Sequence, residues 1–234
     1  MAKKKKILCT ICARKGSKGI KNKNLQKINS IPLVSHTIFQ AQKSKLFDAI
    51  VVSSDSDKIL KISKNKKVDF LIKRSRALSG DDISKVDVIK NVLKKTENFT
   101  KTHFDIIIDL DVTSPLRQVS DIKKALNKFK NSRCENLVTA SKARKNPFFN
   151  QVQLKNGILS IPCKTKKRIN SRQMAPDVYD LNASIYIWKK SALLNSKDLI
   201  NSKTSMYIMP FSRSIDIDDK IELFIVKNLM KKYQ

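Results

Sequence analysis

The chain has 234 residues, 41% of them apolar, which is enough to bury the core of one sizeable α/β domain. No apolar run approaches the ~20 residues of a membrane span, and Arg14 interrupts the short apolar stretch behind the basic N-terminus, so neither an anchor nor a signal sequence is expected and the protein reads as cytoplasmic. Lys and Arg number 49 against 20 Asp and Glu, a net charge of +29, but the excess is mostly lysine spread along the chain and the 6% of aromatics are not interleaved with arginine, which argues for solvated faces over a nucleic-acid surface.

Ile7–Ala13 is an apolar run that reads as a buried strand. Cys9 and Cys12 lie in it at CxxC spacing, yet residues three apart on a strand point to opposite faces, so they read as core side chains rather than a metal or redox pair. The loop that follows holds Gly16 and Gly19, two of the chain's four glycines, among Arg14, Lys18, Lys21 and Lys23. Glycine lets a backbone approach a ligand closely, and backbone N–H groups with side-chain cations suit a polyphosphate. An ordinary βα loop in a lysine-rich chain fits the same residues. A helix over Pro32–Lys45 comes next, with Val34, Ile38 and Ala41 on one face. A strand over Ala49–Ser54, a helix over Asp57–Lys66 and a short strand over Asp69–Ile72 follow. Ser84 is placed to cap a helix running to about Lys95, with Asp87 in its first turn. Phe104–Leu110 is the strongest strand; Val119–Lys130 is a helix and Asn136–Ala140 another strand. This alternation implies a mainly parallel sheet with helices on both faces, and a ligand at the carboxyl ends of the strands.

After Ala140 the rhythm breaks. Asn150–Leu154 and Ile158–Ile161 flank Lys155-Asn156-Gly157 as a hairpin. Lys164–Pro176 is polar and aperiodic. Ala183–Trp188 returns to a strand pattern. Asp219–Lys231 closes the chain as a helix, with Ile221, Phe224, Ile225, Asn228 and Leu229 at helical spacing. The expected architecture is one domain over residues 1–234, an α/β sheet of Rossmann-like type flanked by helices, with a β-rich insertion at about 142–180.

Two acidic pairs stand out in so basic a chain, Asp109-Leu110-Asp111 and Asp216-Ile217-Asp218. Alternation puts each pair on one face. A hard cation such as Mg²⁺ takes one or two carboxylates plus substrate phosphates, so a basic loop together with such a pair suits transfer at a nucleotide phosphate. A solvated strand end and a helix cap fit the two pairs equally well when each is taken singly.

The opening loop, Thr113-Ser114-Pro115-Leu116-Arg117 and Ser214-Ile215-Asp216-Ile217-Asp218 together resemble the acylneuraminate cytidylyltransferases, the CMP-sialic acid synthetases, from about Ile7 to Leu229 and with the motifs in the same order. The pattern is most similar to the bacterial branch that activates legionaminic acid. The features are Ile7-Leu8-Cys9-Thr10-Ile11-Cys12-Ala13-Arg14, the run from Asp109 to Arg117, and Asn182-Ala183-Ser184-Ile185-Tyr186. The resemblance implies a nucleotidyltransferase, GT-A-like fold whose insertion packs against a partner in a homodimer. It implies the reaction of CTP with a nonulosonic acid, giving the CMP-sugar and pyrophosphate, assisted by Mg²⁺ or Mn²⁺. It places Arg14, Gly16, Ser17, Lys18, Gly19, Lys23 and Asn24 on the nucleotide, with Arg74, Asp81, Ser84 and Asp111. Arg172, Gln173, Asp180, Asn182 and Tyr186 fall on the sugar side. Asp216, Asp218 and Asp111 fall to the metal, and Arg14, Lys23 and Asp216 to catalysis. Where sialic acid synthetases carry Gln-Pro before Thr-Ser-Pro-Leu-Arg, this chain has Asp111-Val112; Asp180 stands where an arginine is common and Phe149 where a lysine is expected. These departures favour N,N'-diacetyllegionaminic acid as the sugar over N-acetylneuraminic or another nonulosonic acid. A basic protein that binds nucleic acid or other anions is the alternative of a different class.

Overall fold

Strand β1 (Ile7–Cys12) lies inside a seven-stranded sheet completed by β2 (Ala49–Ser54), β3 (Phe70–Lys73), β4 (Ile106–Leu110), β5 (Asn136–Lys142), β8 (Tyr179–Lys189) and β9 (Thr204–Ile208). A separate hairpin, β6 (Gln153–Lys155) and β7 (Ile158–Ser160), stands outside the sheet. The computed structural model describes residues 4–17 and 19–232. The order across the sheet is β3-β2-β1-β4-β8-β5-β9. Within it β8 runs antiparallel to both its neighbours, and the remaining pairings are parallel. From β1 the chain builds outward to β2 and β3, then returns across β1 to start β4. The strand order therefore reverses at the carboxyl ends of β1 and β4, and the loops there diverge and leave a crevice.

β1 and β4 are near-continuous apolar runs because both faces of the sheet are covered. Ile7, Cys9 and Ile11 of β1 pack with α1 (Leu33–Ser44), α2 (Asp57–Asn65), α4 (Val119–Lys130) and α6 (Lys220–Lys232). Leu8 and Cys12 belong to the other layer, with α3 (Lys85–Thr100) and α5 (Lys190–Asn195). Cys9 and Cys12 thus part to opposite faces as alternation requires, and all four cysteines are free. On α1 the expected face of Val34, Ile38 and Ala41 is the buried one. Burying Val34 and Ile38 contributes about 1.5–3 kcal/mol each.

Some elements differ from expectation for identifiable reasons. α3 continues to Thr100 because Thr96 carries on its buried face, with its hydroxyl donating to the Val92 carbonyl at 2.7 Å. β8 is longer than its apolar part. It starts at Tyr179, pairs with β5, shifts register between Leu181 and Tyr186, and only then joins β4. Ala183 sits at that shift with φ of 49°. β9 is half-buried and α5 only six residues long, so neither shows a full period in the sequence. On α6 the inward residues are Leu223 and Val226, with Leu229 and Met230 packed against the same core, while Ile221 and Phe224 are 70% and 68% exposed. The helix is apolar on two sides, so spacing alone did not select the buried one.

Between β5 and β8 the chain makes an excursion over residues 143–178. Its stem is closed where Lys142 pairs with Tyr179 and the Ala143 amide donates to Val178 O at 2.9 Å. The β6–β7 turn has Asn156 and Gly157 both at positive φ, 52° and 76°, as the primed hairpin turn requires. Among the described residues, no helix is long and apolar enough to cross a membrane.

Candidate active site

Residues from four loops and the start of α3 meet in a cleft of about 280 Å³ at the crevice. The loop after β1 supplies Arg14, Gly16 and Ser17, and the short 3₁₀ turn at Lys23–Leu25 supplies Lys23 and Asn24. Arg14 Nη1 donates to Asp81 Oδ1 at 2.6 Å and to Gly80 O at 3.1 Å. Buried Asn24 donates through Nδ2 to Arg14 O at 2.9 Å, so it pins the base of the loop. Arg74, buried at the end of β3, is oriented by Ser53, whose carbonyl accepts from Nη2 at 3.0 Å. Lys18, expected here, lies outside the described residues.

The two glycines of the loop are not equivalent. A Cβ on Gly16 would meet open space, whereas a Cβ on Gly19 would fall 2.0 Å from the backbone oxygen of Asp218. Gly19 is what lets the N-terminal loop close against the C-terminal acidic segment. Lys23 Nζ then reaches Asp218 Oδ1 at 2.8 Å across 195 residues of chain. Ile217 N donates to Thr113 O at 3.0 Å, which moors the same segment to the loop after β4.

Asp109 and Asp111 share a face, as alternation requires, and both contact Lys85, the first residue of α3. Lys85 Nζ is 3.3 Å from Asp109 Oδ2 and closer still to Asp111 Oδ2. It also lies 4.6 Å from the ring centroid of Tyr186, a cation–π contact. Burial works against the Lys85 charge, but Asp111 and Asp109 outweigh it and hold the ammonium well above its ordinary pKa. Burial also opposes ionisation of Asp111, and there Lys85 prevails and the carboxyl is held low.

Asp216 has the opposite character. Burial first, then the Asp111 charge, push its carboxyl up to about 6. Its Oδ1 is buried and has no hydrogen-bond partner among the described residues. A buried orphan oxygen beside a second carboxylate is what a divalent cation with oxygen preference would satisfy. Asp218 and Asp216 both line the cleft, so the residues fit such an ion. Among the described residues no three His, Cys, Asp or Glu side chains converge into a complete cage, and a cation that completes its shell with phosphate oxygens needs none. Asp219 is spent elsewhere: its Oδ1 caps α6 by accepting from Ile221 and Glu222 amides, each at 2.8 Å.

Arg14, Gly16, Ser17, Lys23, Asn24, Arg74, Asp81, Asp111, Asp216 and Asp218 therefore gather in one cleft. Ser84 adjoins it as the cap of α3, accepting from Val86 N at 3.2 Å. Tyr186 lies beneath it, buried in the sheet under Lys85. The remaining sugar-side residues stand apart. Asn182 is buried, with Oδ1 accepting from Thr139 Oγ1 at 2.7 Å and Nδ2 donating to Ser214 Oγ at 2.9 Å. Asp180 is exposed on β8. Arg172 and Gln173 line a second cleft at the stem of the 143–178 excursion, where Arg172 Nη2 donates to Ala143 O at 3.2 Å. Arg117, from the motif that carried much of the resemblance, is 2% exposed and donates to Ser184 O at 2.6 Å and to Asp111 O at 3.2 Å. It clamps the end of β4 to β8, and burial pulls its guanidinium down to about 10.

Thr113 and Thr10 lie in the motifs that carried the resemblance but were given no role at the site, and Lys85 was not singled out at all. Thr10 Oγ1 donates to Asp109 Oδ1 at 2.6 Å. The signal for Lys85 was present: a cation in the first turn of a helix opposes the helix dipole and needs a compensating anion.

Comparison with known proteins gives a consistent picture. A family model described as Cytidylyltransferase matches residues 8–198. A Campylobacter coli protein named post-translational flagellin modification protein B is 41% identical over 227 residues, covering 97% of this chain and 95% of its own. The CMP-N,N'-diacetyllegionaminic acid synthase of Campylobacter jejuni is 42% identical over 225 residues, covering 96% of this chain and 94% of its own. A solved CMP:2-keto-3-deoxy-manno-octonic acid synthetase complexed with CTP superposes with a TM-score of 0.73 over 98% of this chain and 100% of that one, at 16% identity, which is a likeness of fold.

Proposed function

The chain belongs to the cytidylyltransferase family, and from that premise we propose that it activates a nonulosonic acid, N,N'-diacetyllegionaminic acid in particular, as its CMP derivative. The observation that carries this reading is 42% identity over nearly the full length of both chains to a synthase named for that product. The fold adds support, because Arg14, Lys23, Arg74, Asp111, Asp216 and Asp218 line one cleft at the switch point of the sheet.

In the proposed reaction the anomeric oxygen of the sugar bonds to the α-phosphorus of CTP. The bond from that phosphorus to the bridging oxygen breaks, pyrophosphate leaves with the electron pair, and the hydroxyl proton passes to solvent. Arg14 and Lys23 face the triphosphate and offset the charge that grows on pyrophosphate, with Arg74 behind them. Gly16, Ser17 and Gly19 offer backbone amides to the same phosphates. The apolar wall of Cys12, Leu78, Ile83 and Val88 suits the pyrimidine ring. Asp81 and Asn24 serve as much by fixing Arg14 as by touching the nucleotide. Asp216 and Asp218 would hold Mg²⁺ or Mn²⁺, which when bound polarises the α-phosphate and lowers the pKa of the attacking hydroxyl.

A pyrophosphate-release assay with CTP, Mg²⁺ and a panel of nonulosonic acids tests this. Turnover with N,N'-diacetyllegionaminic acid is expected. Turnover restricted to N-acetylneuraminic or pseudaminic acid would reassign the sugar, and no turnover with any sugar acid by folded protein would remove the reaction.

We further place the reaction in the cytoplasm, where CTP is made and where four free thiols persist. A homodimer is part of the same proposal. Leu154, Ile158 and Leu159 of the β6–β7 hairpin and Val152 just before it are all 64–69% exposed, a patch that suits burial against a second copy. Light scattering on a Leu154→Glu, Leu159→Glu variant tests it: the wild type should elute as a dimer and the variant as a monomer.

A further inference from the structure

Lys85 stands directly after the Ser84 cap of α3, where the free N–H groups of the first turn disfavour a cation. Its ammonium sits between the carboxylates of Asp109 and Asp111, touching both. The other oxygens of that pair are accounted for. Asp109 Oδ1 accepts from Thr10 Oγ1 at 2.6 Å, and Asp111 Oδ1 accepts from Thr113 N at 3.2 Å and Thr113 Oγ1 at 3.1 Å. Among the described residues, the buried carboxylate oxygen without a partner is instead Asp216 Oδ1. Lys85 is itself part of the cleft wall, and the Tyr186 ring beneath it fixes its height.

We propose that Lys85 is the resident cation of the Asp109/Asp111 pair: its ammonium takes the place a second divalent ion would occupy there, turns its remaining donor toward the phosphates of the nucleotide, and leaves Asp216 and Asp218 to hold one metal ion. An ammonium is a compact point charge with three donors, so it can serve two carboxylates and a phosphate together. It cannot share that position with a divalent ion, since like charges a few ångströms apart in a partly buried site repel strongly. A cation built into the chain also needs no reorganisation when substrate arrives. The phosphate contact rests on the CTP reading above; the exclusion of metal from Asp111 does not.

Mn²⁺ binding to nucleotide-free protein, followed by the electron paramagnetic resonance of free Mn²⁺, separates the two. Lys85→Met keeps the length of the stem and removes the charge. It is expected to bind Mn²⁺ about tenfold more tightly than wild type, the gain disappearing in Lys85→Met, Asp111→Asn. Asp111→Asn alone should leave wild-type Mn²⁺ affinity within about twofold. If Asp111→Asn weakens Mn²⁺ binding about tenfold or more, or if folded Lys85→Met shows no gain, the proposal is overturned. Should Lys85→Met fail to fold, the Asp111→Asn arm decides alone. In the pyrophosphate-release assay Lys85→Met should lose about 100-fold in turnover and recover part of it as Mn²⁺ is raised, with Lys85→Arg retaining more activity. A loss that Mn²⁺ leaves untouched would reduce Lys85 to a packing residue. A wild type inactive on every sugar acid would remove the reaction and leave the metal result standing.

Discussion

Gly19 has no room for a side chain, and the obstacle is backbone rather than a movable tip: a Cβ there would lie 2.0 Å from Asp218 O. Gly19→Ala must therefore push the loop away from the acidic segment. It is expected to cost about 1–3 kcal/mol of stability and to loosen the Lys23–Asp218 pair, whereas Gly16→Ala, into open space, should stay within about 0.5 kcal/mol. Denaturant unfolding of the two variants side by side checks the contrast. Asp216 gives a second expectation with a definite sign. Its carboxyl is pushed up to about 6 in the folded protein from an ordinary 3.8, chiefly by burial. The folded state therefore binds the proton more tightly than the unfolded chain, so this residue's contribution to stability declines as pH rises through that window and is a penalty above pH 6. Asp216→Asn removes the charge and should raise stability by roughly 1–2 kcal/mol at pH 8, with the gain shrinking toward pH 5, while turnover is lost. Melting curves at the two pH values, with the activity assay alongside, test this. A variant that melts below wild type at pH 8 would show that Asp216 is a structural carboxylate.

Among the elements, β8 is where backbone strain collects. Its register breaks between Leu181 and Tyr186, and Ala183 is held at φ 49°, a region that favours glycine. The strain has a visible return. The break turns Asn182 inward to Thr139 and Ser214, and it aims Ser184 O at Arg117 and at the Asp111 amide. Ala183→Gly should relieve the left-handed cost and stabilise the protein by up to about 1 kcal/mol, where the same change inside a regular strand destabilises by about that amount; thermal unfolding decides. Such a bulge is not legible from residues, because Asn182-Ala183-Ser184 is an unremarkable stretch until both neighbouring strands are present. What was legible had local causes. The alternation of Phe104–Leu110 with Val119–Lys130, and the apolar face of α1, declare their elements by period. The loop from Arg14 to Asn24 and the Asp216-Ile217-Asp218 segment could be paired only through a family pattern, since their contact spans 195 residues. Period fails where an element has two apolar sides, as on α6, or is half-buried, as in β9. Lys85 was obscured because its partners, Asp109 in β4 and Asp111 just beyond it, come 24 and 26 residues later in the chain and meet it only in the fold.

At the scale of the molecule, charge acts in two opposed ways. The chain carries +29, but the cleft does not. Among the described residues, Arg14, Lys23, Arg74 and Lys85 line it against Asp81, Asp111, Asp216 and Asp218. Attraction of a nucleotide triphosphate therefore comes largely from the summed field of surface lysines and not from the pocket wall. That field is long-ranged, and salt screens it over about 8 Å at physiological ionic strength. The same lysines repel one another in the folded state. Surface pairs such as Lys142–Asp177 and Lys203–Glu135 are too exposed to offset this, being worth about 0–1 kcal/mol each. Raising NaCl from about 20 mM to about 500 mM, with the Mg²⁺ concentration fixed, should thus raise the melting temperature, because screening relieves self-repulsion. Over the same range kcat/KM for CTP should fall, because steering is lost, while kcat stays nearly constant once the nucleotide is bound. The two slopes must have opposite sign if both follow from one charge distribution. If the melting temperature falls with salt, ion pairs outweigh repulsion in the folded chain. If kcat falls in step with kcat/KM, salt is reaching the charges inside the cleft, and the Lys85–Asp111 and Lys23–Asp218 contacts are the first to inspect.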